Sequence, residues 1–221
     1  MPAEETKSRR RIRLPQYPDL TYEQELWDSG VSLVAGIDEA GRGALAGPVV
    51  AAVVLLPVDI NLCVAWHGVR DSKMMTSQAR YKWSKLIRET CADYGIGSAS
   101  NQEIDSLGIV PATHLAIERA LNQLKTIPEH LLTDYLHLDK IAIPQTPLIK
   151  GDARCLSIAS ASILAKTYRD ELMICIDDDY PEYGFKQHKG YGTQAHRRTM
   201  QIFGPSPLHR LSFNYKAVTI E

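Results

Sequence analysis

Two adjacent carboxylates, Asp38 and Glu39, close a short apolar run from Val34 to Ile37, and a glycine-rich turn, Gly41-Arg42-Gly43, follows at once. Carboxylates are seldom buried unless they are paired or bound to a cation, so a strand that delivers two acids to a turn points to cation chemistry. Two more acids recur in the same setting. The stretch from Leu132 to Leu138 reads as a buried strand delivering Asp139, and Thr146 to Lys150 as a short strand delivering Gly151-Asp152. A sheet with helices alternating along the chain brings such strand ends to one edge. Carboxylates gathered there repel one another and hold protons more tightly unless cations intervene. Hard divalent cations with oxygen ligands, magnesium or manganese, are the natural neutralisers. Two of them would balance four carboxylates, an arrangement suited to in-line displacement at phosphorus.

Plainer readings compete. Any one of these acids alone is an ordinary solvated strand end. Adjacent side chains in a strand point to opposite faces, so Asp38 and Glu39 serve one cation only if the strand ends or bends between them. Gly41 to Ala46 also fits a dinucleotide-binding fingerprint, which needs a helix directly after its glycines. Gly47-Pro48 and then Val49, Val50, Val53 and Val54 follow instead. That density of β-branched residues predicts a strand and argues against a dinucleotide site.

The 221 residues, 44% of them hydrophobic, are enough for one sizeable core. The formal net charge of -1 supplies no global attraction for nucleic acid, so such a partner needs a local basic patch. Cysteines stand at 63, 91, 155 and 175 with no Cys-x-x-Cys pair, which suggests neither a zinc site nor a disulfide framework and fits reduced thiols in the cytoplasm. The charged N-terminus does not read as a signal peptide, and no apolar run approaches the ~20 residues a membrane helix needs, so no membrane partner is expected.

The elements that must position the acids follow in order. Residues 1–20 are polar, with a basic run at Lys7, Arg9, Arg10, Arg11 and Arg13, and read as a flexible arm. Thr21 caps a short helix that ends at Gly30, and the segment 61–70 reads as a loop. Thr76 caps a helix through about Glu89, and Cys91 to Ala99 reads as a strand. Ser100 or Asn101 caps a short helix, and Pro111 opens a stronger one carrying Leu115, Ile117, Leu121 and Leu124. Leu156 to Asp177 is a long helix rich in small residues, ended by Tyr180-Pro181. From 182 to 216, six bases (Lys186, Lys189, Arg197, Arg198, Arg210 and Lys216) face the single acid Glu182, with Tyr183, Phe185, Tyr191, Phe203, Phe213 and Tyr215 interleaved. His188 and His196 stand eight apart, a spacing that makes no metal pair by itself.

Five stretches together carry a resemblance: Gly36 to Gly43; Asp71-Ser72-Lys73; Lys150-Gly151-Asp152; Ser157 to Lys166 with Arg169-Asp170; and Tyr183-Gly184-Phe185 through His188-Lys189-Gly190-Tyr191-Gly192-Thr193. In these motifs and their order the chain resembles bacterial ribonuclease HII from about Tyr22 to Phe213. One departure stands out: the family usually carries Asp-Gly at its third acid, and Asp139 is followed by Lys140. The resemblance implies an RNase H-like fold, a mixed five-stranded sheet flanked by helices. The catalytic domain would span 21–180, and a helical C-terminal extension, 181–221, would complete the substrate site. It implies an endonuclease that hydrolyses the RNA strand of RNA–DNA hybrids and incises 5′ to single ribonucleotides in duplex DNA, leaving 5′-phosphates, as a monomer acting in ribonucleotide excision repair. Carried over, Asp38, Glu39, Asp139 and Asp152 are the catalytic and metal-binding set for manganese or magnesium. Gly41, Arg42 and Gly43 approach the ribose through their backbone, Tyr191 stacks near the sugar and helps sense the 2′-hydroxyl, and Lys73 and Lys189 hold phosphates.

Two other readings define the alternatives. A non-catalytic nucleic-acid or nucleotide-binding module would rely on the basic tail, but it has no reason to place four negative charges where a phosphate must sit. A different two-metal nuclease of the same fold, such as a Holliday-junction resolvase, would not need the Gly-Arg-Gly turn and the Tyr191 loop. Lys166, set among small residues, either supports the acids or carries its charge to the surface.

Overall fold

The structure, a computed structural model, describes residues 14–213. The basic run at 7–13, and Tyr215 and Lys216 of the tail, lie outside the described residues. In chain order the elements are α1 (Thr21–Asp28), β1 (Val34–Ala40), β2 (Val49–Leu55), α2 (Leu62–Ala65), α3 (Ser77–Thr90), β3 (Asp93–Ala99), α4 (Asn101–Leu107), α5 (Ile109–Leu121), β4 (His130–Asp134), β5 (Gln145–Leu148), α6 (Leu156–Asp177), α7 (Phe185–His188) and α8 (Gln194–Phe203). Single 3-10 turns lie at Ser72–Met74 and Gly151–Ala153.

The strands form one sheet in the order β3-β2-β1-β4-β5. β1 and β2 pair antiparallel, as do β2 and β3, while β1, β4 and β5 run parallel. The sheet is therefore mixed, with helices on both faces. Every residue of β2 is buried, which is why it reads as one continuous apolar run rather than an alternation. Val50, Ala52 and Val54 pack with Ile87 of α3 and with Leu156 and Ile163 of α6. Val49, Ala51 and Val53 pack on the opposite face with Ile104 of α4 and with Ala112, Ala116 and Ile117 of α5.

Local signals explain most boundaries. The Thr76 hydroxyl accepts from the Ala79 amide and starts α3. Ser100 and Glu103 form a reciprocal capping box at the start of α4. Thr21, expected as a cap, is instead the first residue of α1, and its amide donates to the Asp19 carboxylate at 2.9 Å. Helix α5 begins at Ile109, two residues before Pro111, which is tolerated because first-turn amides need no helical partner. The segment 61–70, expected as a loop, contains the short α2.

Helix α6 spans the residues expected of it, and Leu156 to Ala165 are buried without a break. Its small side chains let it lie directly on β1. A Cβ placed on Gly36 would meet the Ser157 carbonyl carbon at 2.2 Å and the Ile158 amide nitrogen at 2.4 Å. Beyond α6, Tyr183 and Phe185 stack at 5.5 Å and are buried with Ala46 and Met173. These tail aromatics form a small core of their own instead of facing outward.

Because main chain, not a yielding side chain, opposes it, the Gly36→Ala variant is expected to lose roughly 3 kcal/mol of stability. That corresponds to a fall in melting temperature of about 6–12 °C by calorimetry, whereas Gly43→Ala, whose Cβ meets nothing within 4 Å, should shift it by about 1 °C or less.

Candidate active site

The carboxyl ends of the three parallel strands carry the acids. Asp38 lies in β1, Asp134 ends β4, and Asp152 sits in the 3-10 turn after β5. Ile37 pairs in parallel register with Thr133, which sets Asp38 and Asp134 level on adjacent strands. β1 does not end between its two acids: Asp38, Glu39 and Ala40 all keep their partners in β2. Asp38 points toward α6, where it meets the Ser162 hydroxyl, and Glu39 points to the other face, its Oε1 3.1 Å from Arg42 Nη1.

Electrostatics mark these groups as under strain. Burial, then the charge of Glu39, holds the Asp38 carboxyl well above the usual carboxylate range. Burial also raises Glu39, partly offset by Arg42. Burial followed by nearby carboxylates raises Asp152, and burial raises Asp134, whose Oδ1 accepts the Gly151 amide at 2.8 Å. Lys73 offsets some of this charge, its Nζ 3.5 Å from Asp152 and 4.0 Å from Asp71. It is placed by the Ser72–Met74 turn, which Asp71 caps and which Ser72 fastens to Ser162 of α6 at 2.8 Å.

The structure brings Asp134, and not the expected Asp139, to the other acids. β4 stops at Asp134, five residues short of Asp139, and the chain turns at Tyr135 with φ of 62°. The Asp139 side chain is 83% exposed and lies 3.5 Å from His137, away from the other acids. The apolar alternation ran on past the strand because Leu136 and Leu138 pack onto the α5 face of the core as loop residues, which periodicity cannot tell from strand. The position after the third acid, usually glycine in the family the sequence resembles, is here Tyr135, and it holds a left-handed conformation that glycine favours.

The loops around the acids are tied by arginines. Arg169 of α6 donates to the carbonyls of Pro48 (2.9 Å), Lys189 (2.9 Å) and Ala46 (3.1 Å). Arg210 donates to the carbonyls of Gly47 (3.0 Å) and Arg42 (2.8 Å). The segment from Arg42 to Pro48 is thereby fastened both to α6 and to the C-terminal segment. Gly41, at φ +92°, leaves room for Arg169, whose Nε would lie 2.0 Å from an added Cβ. Ala44 bridges to Tyr191, whose ring lies 5.1 Å from Lys166 Nζ and 5.2 Å from the Arg169 guanidinium. Lys166 neither contacts the four acids nor reaches out to solvent: it holds Asp170 at 2.7 Å, which Arg80 holds from the other side at 2.9 Å. Lys189 directs its ammonium to the Lys186 carbonyl, beside Asp170 and Lys166. Arg169 and Arg210 were legible as basic residues, but nothing in their spacing showed that both would be buried as clamps.

A cleft of about 690 Å³ opens beside the acids, with Asp71, Lys73, Asp134, Tyr135, Lys150 and Asp152 in its wall. Among the described residues no three acids close around a single point as a preformed metal cage. The donor set nevertheless suits hard cations that keep several waters and take one or two carboxylates each, completing their shell with substrate phosphate. The charge excess around Asp38 is what such cations would relieve.

Comparison with known proteins bears on this site. The family model described as Ribonuclease HII matches residues 35–216. A ribonuclease HII from Synechococcus sp. is 51% identical over 196 residues, covering 89% of this chain and 88% of its own. One from Clostridioides difficile is 47% identical over 192 residues, covering 87% and 74%. The crystal structure of the ribonuclease H2 from Pyrococcus horikoshii superposes with a TM-score of 0.67 at 27% identity, covering 82% of this chain and 94% of that one.

Removing the buried charge should stabilise the metal-free protein. Asp38→Asn is expected to raise its melting temperature by about 2–8 °C at pH 8, from relief of roughly 1–2 kcal/mol of repulsion and desolvation. Folding lifts the Asp38 pKa above its ordinary value of 3.8, so between that value and the folded one the unfolded chain releases the proton first. The gain should therefore be full above the folded pKa and vanish as the pH falls toward about 4. Thermal melts across that range check it, with exposed Asp139→Asn shifting by under about 1 °C throughout.

Proposed function

The chain belongs to the ribonuclease HII family and is a type 2 ribonuclease H, and from that premise we propose that it hydrolyses the RNA strand of RNA–DNA hybrids and cuts 5′ to single ribonucleotides embedded in duplex DNA. The observation that carries this reading is the gathering of Asp38, Glu39, Asp134 and Asp152 at the carboxyl ends of β1, β4 and β5, next to the turn Gly41–Gly43 and the Tyr191 loop. The residues that would hold divalent cations are thus Asp38, Glu39, Asp134 and Asp152, with magnesium and manganese the fitting ions. When bound, such cations would activate water as the nucleophile and neutralise charge at the scissile phosphate.

The protein's own groups do the rest. Asp38 and Glu39, fixed in the central strand, hold their carboxylates with little freedom, which is what positioning catalysis needs. Lys73, on the rim of the cleft between Asp71 and Asp152, is placed to take a phosphate oxygen. The 2′-hydroxyl alone separates a ribonucleotide from its neighbours, and a backbone that comes close can hydrogen-bond it. The Gly41–Gly43 turn supplies such a backbone, held from behind by Arg210 on the Arg42 carbonyl. Tyr191, bridged to Ala44, presents its ring beside that turn to pack on the sugar. Lys189 and Arg42 extend the positive edge on which the duplex rests.

A labelled DNA duplex with one ribonucleotide, incubated with magnesium or manganese, tests the reading. The expected outcome is a single cut 5′ to the ribonucleotide, lowered by at least about 100-fold in Asp38→Asn and in Asp134→Asn and within about 3-fold of normal in Asp139→Asn. Folded protein that binds the duplex and cuts it with neither metal would leave the binding-module reading instead. Loss of cutting in Asp139→Asn but not Asp134→Asn would return the third-acid role to Asp139.

A further inference from the structure

A line of buried imidazoles runs behind the Tyr191 loop. His196, in α8, and His209 are both almost fully buried, with Phe185 and Tyr183 packed against them. Their Nε2 atoms lie 3.0 Å apart. The protons can be assigned from the ends of the line. The Ser206 amide donates to His209 Nδ1 at 2.8 Å, so that nitrogen accepts and His209 carries its proton on Nε2. That proton points at His196 Nε2, which must then accept, leaving His196 protonated on Nδ1. His196 Nδ1 lies 3.0 Å from the Tyr191 carbonyl oxygen, which also accepts the Thr193 amide at 2.8 Å.

His188 completes the wall. Its ring stacks on His196 at 4.1 Å, its Nε2 lies 2.8 Å from the Tyr183 carbonyl, and its Nδ1 accepts the Gly190 amide at 3.2 Å. The line therefore works only with neutral rings and one defined tautomer at each. Burial first, then the neighbouring imidazoles, holds His196 and His209 at about 4, so both are neutral at physiological pH.

We propose that His196 and His209 are positioning residues for substrate discrimination, a fixed relay from the Ser206 amide through both rings to the Tyr191 carbonyl that sets where the Tyr191 ring meets the ribonucleotide. The proposal rests on the reading that Tyr191 faces the substrate sugar. The relay crosses from the segment 206–210, which also carries Arg210, to the loop 189–193, which Arg169 holds by the Lys189 carbonyl. One network thus places the glycine turn and the tyrosine with respect to each other. His196 needs the Nδ1-protonated form, the less common tautomer of a free imidazole, and the geometry on both sides enforces it.

The test combines activity with a direct view of the protons. Long-range nitrogen-15 NMR of the histidine rings in the wild-type protein should show His196 protonated at Nδ1 and His209 at Nε2. The opposite pattern, or fast tautomer exchange, overturns the relay without any variant having to fold. In cleavage of the single-ribonucleotide duplex, His196→Phe should lower kcat/KM about 10-fold, and His196→Asn, whose amide keeps a donor near the Nδ1 position, should stay within about 3-fold of wild type. In the Tyr191→Ala background His196→Phe should change the rate by less than about 2-fold, because residues acting as a unit are not additive. Losses that multiply overturn the relay while leaving Tyr191 in place. A Tyr191→Ala enzyme that cuts as well as wild type overturns the substrate-facing reading, and the relay with it.

Discussion

Asp38 sits in the middle of the sheet, covered by α6, with a carboxylate next to it in its own strand and another at the same level in the neighbouring strand. Burying a charge is costly, and burying it beside like charges costs more. The scaffold has to hold this arrangement against its own repulsion, and the central strands do so. β2 is buried along its whole length, and α6 lies on β1 so closely that Gly36 has no room for a side chain. Packing of this density transmits strain instead of yielding to it, so the acids stay together at the strand ends.

The C-terminal segment meets a different requirement. A loop proposed to approach a sugar through its backbone cannot rely on a large apolar side chain for its position. Here main-chain carbonyls of the loops are gripped by two arginines, Arg169 from α6 and Arg210 from the segment after α8. Arginine suits the task because its planar fork donates in fixed directions and stays charged even when desolvated. The same segment supplies His209, whose ring continues the polar network to the Tyr191 loop. The basic composition of this region, which invites a reading as a nucleic-acid patch, is thus partly spent on internal structure.

The long helix 156–177 was legible to its ends because small residues and a Tyr-Pro stop delimit it. The Thr76 and Ser100 caps were legible because capping depends on neighbours within a few residues. Of the acids, Asp38, Glu39 and Asp152 stand where their flanking apolar runs and glycines indicated. The third acid was not legible. Asp134 and Asp139 both close apolar stretches, and only the parallel pairing of β4 on β1, together with the burial of Leu136 and Leu138 from a loop, separates them.

What the sequence by itself determined is therefore local: where helices start and stop, which strands are buried on both faces, and that acids recur at strand ends beside a glycine turn. These depend on side-chain shape, capping and periodicity over a few residues. Tertiary structure alone decided which acid joins the cluster, that Arg169 and Arg210 turn inward, and that His188, His196 and His209 meet behind Tyr191. Each of those outcomes depends on strand register or on contacts beyond the reach of a single helical turn, and no local pattern encodes the partner.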